Sequence, residues 1–227
     1  MVDYRILLDI YKDAENWLEA SQNKSKLKQW ATDFDPKFFN ELKSHNEEDA
    51  TTLLIEYLKG LYLSDKNNIA EYKKFIESEF KSKFKEACDA LEMLTGKPLY
   101  RQDFTVYLTT FPRGPYNYDN GELWVAIGWY DPIRNFMHEL LHFQTIYYWR
   151  NKVPAVINMT GDEFEILKES LTVVLDESLE PLIKSPDKGY EQHREIRVKL
   201  HEYWIKNKNF DSLIKQGVKI LNESKNN

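Results

Sequence analysis

The most constraining feature of the sequence is a stripe of apolar side chains at helical spacing. Its members recur every three or four positions and are Ile69, Tyr72, Ile76, Phe80, Phe84, Ala87, Leu91 and Leu94. This spacing places them on one face of an α-helix, and Gly96 and Pro98 follow as a stop signal. A stripe of this length predicts a long amphipathic helix that packs against other helices. The rest of the fold must accommodate that helix.

Helical spacing also runs through the segment before this stripe. Apolar residues at three- and four-residue steps predict a first helix from residue 3 to about Ser21. Pro36 after Asp35 predicts a short helix with a capped first turn, and a further helix is expected over residues 49–63. We therefore expect residues 1–98 to form a helical part that serves as scaffold.

The apolar period changes from helical to alternating between residues 102 and 130. Residues 104–109 (FTVYLT) alternate as a half-buried strand requires. Residues 112–121 are rich in Pro, Gly and Asn and predict a loop, and residues 122–128 (ELWVAIG) predict a second strand. We expect the two strands to form an antiparallel hairpin.

Helical signals return at Asp131. This residue is a cap, and Pro132 stands at the first position of a helix predicted to run to about residue 150. Thr160 and Glu163 form a capping-box pattern that predicts a helix to about residue 179.

The order of these elements predicts the fold class. Two last helices, expected over residues 189–206 and 211–222, complete a mainly helical α+β chain with a small antiparallel hairpin before the helix at Asp131. No internal repeat or long linker divides the sequence. We therefore expect one domain, residues 1–227, in which residues 99–227 follow the helical part.

Composition excludes several classes of function. The 31 Lys and Arg residues against 37 Asp and Glu residues give a net charge of −6, which provides no basic field for nucleic acid or an anionic membrane. Cys88 is the only cysteine, so neither a disulfide framework nor a zinc site built from thiolates is available. The acidic N-terminal segment is unlike a signal peptide, and the apolar runs are far shorter than the ~20 residues of a membrane span. We expect a soluble, cytoplasmic protein that binds neither nucleic acid nor membrane.

The strongest functional signal lies in the helix predicted from Asp131. His138, Glu139 and His142 follow the pattern His-Glu-x-x-His. Because residues four apart on a helix lie one above the other, both imidazoles can reach one metal ion at ~2.0–2.1 Å. A glutamate beside them can accept a proton from an activated water molecule and later donate it to a leaving amine. The spacing therefore favours a catalytic zinc site.

The alternative is a pair of helix histidines without a metal. Phe136, Met137 and Phe143 flank the motif, so its helix should be largely buried. Two imidazoles without partners would be costly there. We therefore favour the metal-binding interpretation.

A catalytic zinc site needs a third protein ligand and an open position. We choose Glu169, because it falls in an apolar segment of the next predicted helix, where a lone carboxylate needs a partner. Asp162 and Glu163 lie in the first turn of that helix, where acidic residues commonly act as caps. The alternative for Glu169 is an exposed position, paired with Lys168 or Lys184.

Three residues share the helix face of Glu169 and can support the site without touching the metal. They are Glu165, Thr172 and Asp176. A group in such a position can orient a ligand imidazole through a hydrogen bond. We predict that Asp176 does so.

The motif and the downstream glutamate resemble the zincin metallopeptidases of gluzincin type, over about residues 103–177. The resemblance implies Zn²⁺ held by His138, His142 and Glu169, with Glu139 as general base. It also implies that a strand before the motif helix binds substrate at a sheet edge, and residues 122–128 occupy that position. The chain departs from the family in lacking an Asn before Glu169.

The same resemblance implies a Tyr or His that stabilises the oxyanion of the reaction. Tyr190 and His193 are the candidates in the C-terminal part. They share a helix face with Arg197 and His201, which suggests a polar face turned toward a cleft, and a solvated face is the alternative.

We therefore expect a zinc-dependent hydrolase, namely a metallopeptidase that acts on a peptide or protein substrate. The first alternative is a catalytically inactive zincin-like protein that binds a partner through its cleft. The second is a helical iron site, which would need a second cluster that His45, His193 and His201 do not form.

Overall fold

A computed structural model of the chain describes residues 2–22, 36–179 and 182–224. The chain divides into two compact units, and the boundary falls inside one long helix, after Ser78. One unit, here the sheet unit, contains Asp3–Ser78 and Asp103–Tyr130. The other, here the motif unit, contains Met1–Val2, Glu79–Gln102 and Asp131–Asn227. The units do not follow the boundary expected near residue 98, and the single domain stays a prediction.

The sheet unit contains four strands and the first helices of the chain. Its strands are β1 (Asp3–Leu8), β2 (Asp103–Thr109), β3 (Tyr116–Asn117) and β4 (Glu122–Ala126). Its helices are α1 (Ile10–Gln22), α2 (Pro36–Ser44), α3 (Glu47–Ser64) and the first part of α4 (Lys66–Thr95). Helix α4 confirms the long helix predicted from the apolar stripe. The cap predicted at Asp35 lies outside the described residues.

The N-terminal segment corrects the prediction of a helix from residue 3. Tyr4, Ile6 and Leu8 are partly buried and alternate with exposed neighbours, and the segment pairs in parallel with β2 as strand β1. The first helix begins only at Ile10. Over six residues the apolar pattern fits both periods, so pairing between distant segments decides the conformation.

The sheet has the strand order β1-β2-β4-β3. Strands β2 and β4 are parallel, so the predicted antiparallel hairpin is wrong; the antiparallel neighbour of β4 is the short strand β3. The prediction of a half-buried β2 is also wrong, because both of its faces are buried, including the face that carries Thr105, Tyr107 and Thr109, as is common for strands in parallel pairing. Strand β4 likewise lies between β2 and the short β3, which pairs with Glu122 and Leu123, so the edge expected to bind substrate is covered at those two residues.

A buried carboxylate ties α1 to the end of β2 within the sheet unit. Asp13 has no exposed surface, and its oxygens accept hydrogen bonds from the Thr109 hydroxyl at 2.6 Å, the Thr110 amide at 3.0 Å and the Tyr62 hydroxyl at 2.9 Å. Burial raises the pKa of Asp13, although these donors oppose the shift. The apolar core around it includes Trp17, whose ring stacks on that of Phe39.

The motif unit is helical. It contains the second part of α4, then α5 (Pro132–Thr145), a π-helical turn (Ile146–Arg150), α6 (Pro154–Ile157), α7 (Gly161–Leu171), α8 (Val173–Ser178), a 3₁₀ turn (Glu191–His193), α9 (Arg194–Asn207) and α10 (Phe210–Ser224). Helix α5 is anchored by Phe136, whose ring lies 5.3 Å from those of Phe80 and Phe84 on α4. None of the described helices combines the length and the apolarity needed to cross a membrane.

The capped helix starts predicted at Asp131 and Thr160 are confirmed, and three other predicted boundaries differ. The Asp131 side chain accepts a hydrogen bond from the Arg134 amide, and Thr160 and Glu163 form a capping box. The helix expected from residue 189 begins only at Arg194, after the 3₁₀ turn Glu191–His193, so the prediction that Tyr190 and His193 share a helix face with Arg197 and His201 is wrong. The helix expected to reach residue 150 changes to a π-helical turn after Thr145. The helix expected to reach residue 179 is interrupted at Thr172, whose hydroxyl donates to the Glu169 carbonyl and so competes with the backbone ladder.

Candidate metal centre

Helix α5 brings the three residues of the His-Glu-x-x-His motif together. Ligand-capable atoms of His138, Glu139 and His142 lie within 4.8 Å of one another. The two imidazole rings meet edge to face, with centroids 4.4 Å apart, as one helical turn allows. His142 is almost fully buried and His138 is partly buried. Both imidazoles therefore address one small region beside α5.

Glu169 of α7 faces both imidazoles. Its Oε1 lies 3.3 Å from Nε2 of His142, and its Oε2 lies 3.5 Å from Nε2 of His138. Two ligands of one zinc ion, each at ~2.0–2.1 Å, lie ~3.3 Å apart, so both spacings between the carboxylate and the imidazoles are compatible with ligands of one ion. Glu169, the third ligand predicted from the sequence, thus lies next to both motif histidines.

The alternative position for Glu169 does not occur. Its side chain is only 18% exposed and contacts neither of the proposed lysine partners. Lys168 instead pairs with Glu165 at 2.7 Å, and Lys184 pairs with Glu79 at 2.8 Å. Of the other acidic candidates, Glu163 is occupied as the N-terminal cap of α7.

The partner that orients His138 is Asp187, which sequence reasoning missed. Nδ1 of His138 lies 2.7 Å from Oδ2 of Asp187, and a carboxylate can only accept, so Nδ1 is the donor. Nε2 of His138 is then directed at Glu169, 3.5 Å away, and it would offer its lone pair to a metal ion that replaced its proton. The prediction of Asp176 for this role is corrected, since its carboxylate accepts the backbone amide of Asp187 instead.

Neighbouring charges and burial shift the pKa values of the ligand candidates in different directions. Burial disfavours a charged His138, but hydrogen bonds to Asp187 and Glu169 outweigh it and raise its pKa to about 10. Burial and the charge of His138 lower the pKa of His142 to about 3. Burial opposes ionisation of Glu169 and Asp187, yet the hydrogen bonds from the imidazoles hold the pKa of both carboxyls well below the usual range. The site therefore presents two ionised carboxylates around the two imidazoles.

Glu139 differs from the other carboxylates in its surroundings. Its side chain is 6% exposed and makes no hydrogen bond or ion pair with any residue that the structure describes. Burial raises its pKa to about 7, which the nearby charges of His138 and Lys168 partly offset. A carboxyl with a pKa near neutrality can both take and return a proton, as a general base and acid must.

Tyr190 and His193 lie beside the carboxylates. Burial raises the pKa of the Tyr190 hydroxyl, and the charges of Glu169, Glu139 and Asp187 raise it further, although 44% of the residue is exposed. His193 is buried, its ring is 5.6 Å from that of Tyr190, and its Nδ1 finds no hydrogen-bond partner among the described residues. Burial lowers the pKa of His193, and Glu169 opposes the shift. Each can therefore donate or accept a hydrogen bond near the metal candidates.

Comparison of the chain with protein-family models, with curated proteins and with solved structures finds no match. Function therefore has to be inferred from the residues of the site.

Proposed function

We propose that this protein is a zinc-dependent hydrolase, and specifically a metallopeptidase that cleaves peptide bonds in peptide or protein substrates. The observation that supports the proposal most directly is the Glu169 carboxylate, 3.3 and 3.5 Å from the two Nε2 atoms of the motif histidines. It is joined by a buried Glu139 without a donor on the same helix as the histidines. A pair of histidines that served packing alone would not require both features.

The donor set suits zinc. His138, His142 and Glu169 offer two imidazoles and one carboxylate, a set typical of catalytic zinc, and would hold the ion while leaving it open to one further ligand. Zinc bound there supplies a Lewis acid that polarises a carbonyl and makes a water molecule acidic near neutral pH.

The remaining side chains have separable roles in the proposed reaction. Glu139, buried beside both imidazoles on the same helix, removes a proton from the attacking water and delivers it to the leaving amine. Asp187 holds the Nδ1 proton of His138 and so keeps Nε2 as the ligand atom. Tyr190, whose raised pKa keeps its hydroxyl protonated, donates to the oxyanion, and His193 is the second candidate for that donation.

The first experiment measures metal content by plasma mass spectrometry and turnover with a fluorogenic peptide library. Wild type should hold about one zinc per chain, as a single three-ligand site requires, and should cleave part of the library. Glu139→Gln should retain the zinc and lose turnover by ~100-fold or more, since it keeps the shape of the side chain but cannot accept the proton. Glu195→Gln is the control, because Glu195 is exposed and pairs with Lys199 on the surface.

The two measurements separate the proposal from its alternatives. A Glu139→Gln variant that cleaves as fast as wild type would exclude the general-base mechanism. Zinc in wild type without cleavage of any peptide would favour a zincin-like binding protein. Wild type without zinc after reconstitution would exclude the metal centre itself.

A further inference from the structure

A buried guanidinium lies behind the candidate metal centre. Arg197 of α9 is 6% exposed, and its hydrogen bonds within the described part of the chain go to two backbone carbonyls and one hydroxyl, while the nearby carboxylates of Asp187 and Asp176 interact with its charge. Its Nη1 donates to the Glu169 carbonyl at 3.1 Å and to the Thr172 hydroxyl at 2.7 Å, and its Nη2 donates to the Asp187 carbonyl. A buried charge is costly without partners, so these acceptors hold the guanidinium in one position.

One group thus holds the backbone at two places that matter for the site. Glu169 and Thr172 mark the end of α7, and Asp187 lies in the segment between α8 and the 3₁₀ turn, outside any helix or strand. Asp187 is held from both sides, because its amide donates to Asp176 while its carbonyl accepts from Arg197. With its backbone held, the Asp187 carboxylate stays 2.7 Å from Nδ1 of His138.

Gly189 shows that this segment is fitted around the guanidinium. Its φ is +61°, in the left-handed region, and a Cβ there would lie 2.7 Å from Cζ and Nε of Arg197. Any larger residue would therefore push the guanidinium out of place. Gly96 has a similar φ of +65° but no atom within 4 Å of an added Cβ, so it offers a matched comparison.

We propose that Arg197 is a positioning residue of the metal centre. Its guanidinium binds the backbone carbonyls of Glu169, the proposed third ligand, and of Asp187, which orients His138. It thereby fixes the positions of both residues relative to each other before a metal binds. The expected effect of Arg197 on zinc binding rests on the proposed function. The contacts to the Glu169 and Asp187 backbone exist independently of any metal.

The test measures zinc affinity in competition with a chromophoric chelator, after the metal has been stripped. Arg197→Met should bind zinc ~10–100-fold more weakly than wild type, the usual loss when support behind a ligand is removed. The zinc affinity of Arg197→Lys, which keeps the positive charge but loses the planar guanidinium, should lie between those of wild type and Arg197→Met. Arg194→Met is the control on the same helix, since the Arg194 side chain is 77% exposed and pairs with the exposed Glu191.

A second pair of variants separates positioning from loss of charge or fold. Gly189→Ala should weaken zinc binding as Arg197→Met does, because it displaces the guanidinium without removing it. Gly96→Ala imposes similar backbone strain with no neighbour, so it should lower stability without a comparable loss of zinc affinity. Equal zinc affinity in wild type, Arg197→Met and Gly189→Ala would overturn the proposal.

Hydrogen exchange of the metal-free protein tests the contacts without zinc. The amides of Asp187 and Gly189 should lose protection in Arg197→Met and keep it in Arg194→Met. Unchanged protection would overturn the positioning role whether or not zinc binds. A wild type that binds no zinc would overturn the proposed function and the metal part of this role, and loss of protection would then confirm only the hold on Asp187.

Discussion

The carboxylate of Glu169 lies 3.3 Å from Nε2 of His142 although the two residues belong to different helices. Helix α5 supplies the imidazoles and α7 supplies the carboxylate. The approach of the two helices therefore determines whether three ligands can meet one ion. Substitutions of Glu169 test this relationship directly.

Replacing Glu169 by Ala should weaken zinc binding by more than ~100-fold, because loss of a ligand must exceed the ~10–100-fold cost of losing support behind one. The measurement is a zinc titration of stripped protein against a competing chelator. Asp162→Ala is the control, since Asp162 is an exposed residue in the first turn of the same helix. Retention of zinc by the Glu169 variant together with loss in the Asp162 variant would reassign the third ligand.

The zinc affinities of two aspartate variants show whether Asp187, as in the structure, or Asp176, as predicted from the sequence, orients His138. Asp187→Asn should lower zinc affinity ~10-fold or more, because the amide holds the Nδ1 proton less strongly than the carboxylate. Asp176→Asn should have a smaller effect, since Asp176 supports His138 indirectly, through the backbone amide of Asp187. Competition titration of both variants, with exposed Asp119→Asn as control, checks the order. A larger loss for Asp176→Asn would favour the original prediction.

Tyr190→Phe should lower kcat by ~100-fold or more while zinc content stays at the wild-type level, because it removes one donor to the oxyanion and no ligand. The expected change lies in kcat rather than in metal affinity, since Tyr190 is 44% exposed and contributes little packing. Tyr147→Phe, at a similarly exposed tyrosine of the π-helical turn, is the matched control. Full activity in Tyr190→Phe would transfer the role to His193, which His193→Gln would then test.

Local chemistry made part of this structure predictable. The helix caps at Asp131 and Thr160 each depend on residues within four positions of one another, and both form as predicted. The motif histidines share a helix face because of their spacing alone, and the structure places them together. A carboxylate in an apolar segment needs a partner, which predicts that Glu169 lies near other polar groups. Its carboxylate indeed lies 3.5 Å from His138 and 3.3 Å from His142.

Contacts between distant segments could not be predicted in this way. Strand β1 pairs with residues 100 positions further along the chain, so its six residues carried no local signal for parallel pairing. Asp187 reaches His138 from a loop 49 residues away, where neither helical nor strand periodicity applies. Arg197 was placed on a polar helix face, but only its position behind Glu169 and Asp187 reveals that it is buried.

Asp13→Asn should destabilise the sheet unit by about 1–3 kcal/mol at neutral pH, because the amide cannot accept all the hydrogen bonds that Thr109, Thr110 and Tyr62 donate to the carboxylate. Urea denaturation measures the loss, and Glu15→Gln, an exposed residue paired with Lys12, should cost under about 1 kcal/mol. Burial raises the pKa of Asp13, so the folded chain takes up this proton more readily than the unfolded chain does. Wild type should therefore gain stability relative to Asp13→Asn as the pH falls from about 7 towards about 4, the ordinary pKa of an aspartate. A difference that shrinks over this range would show that Asp13 is held in its charged form by its donors.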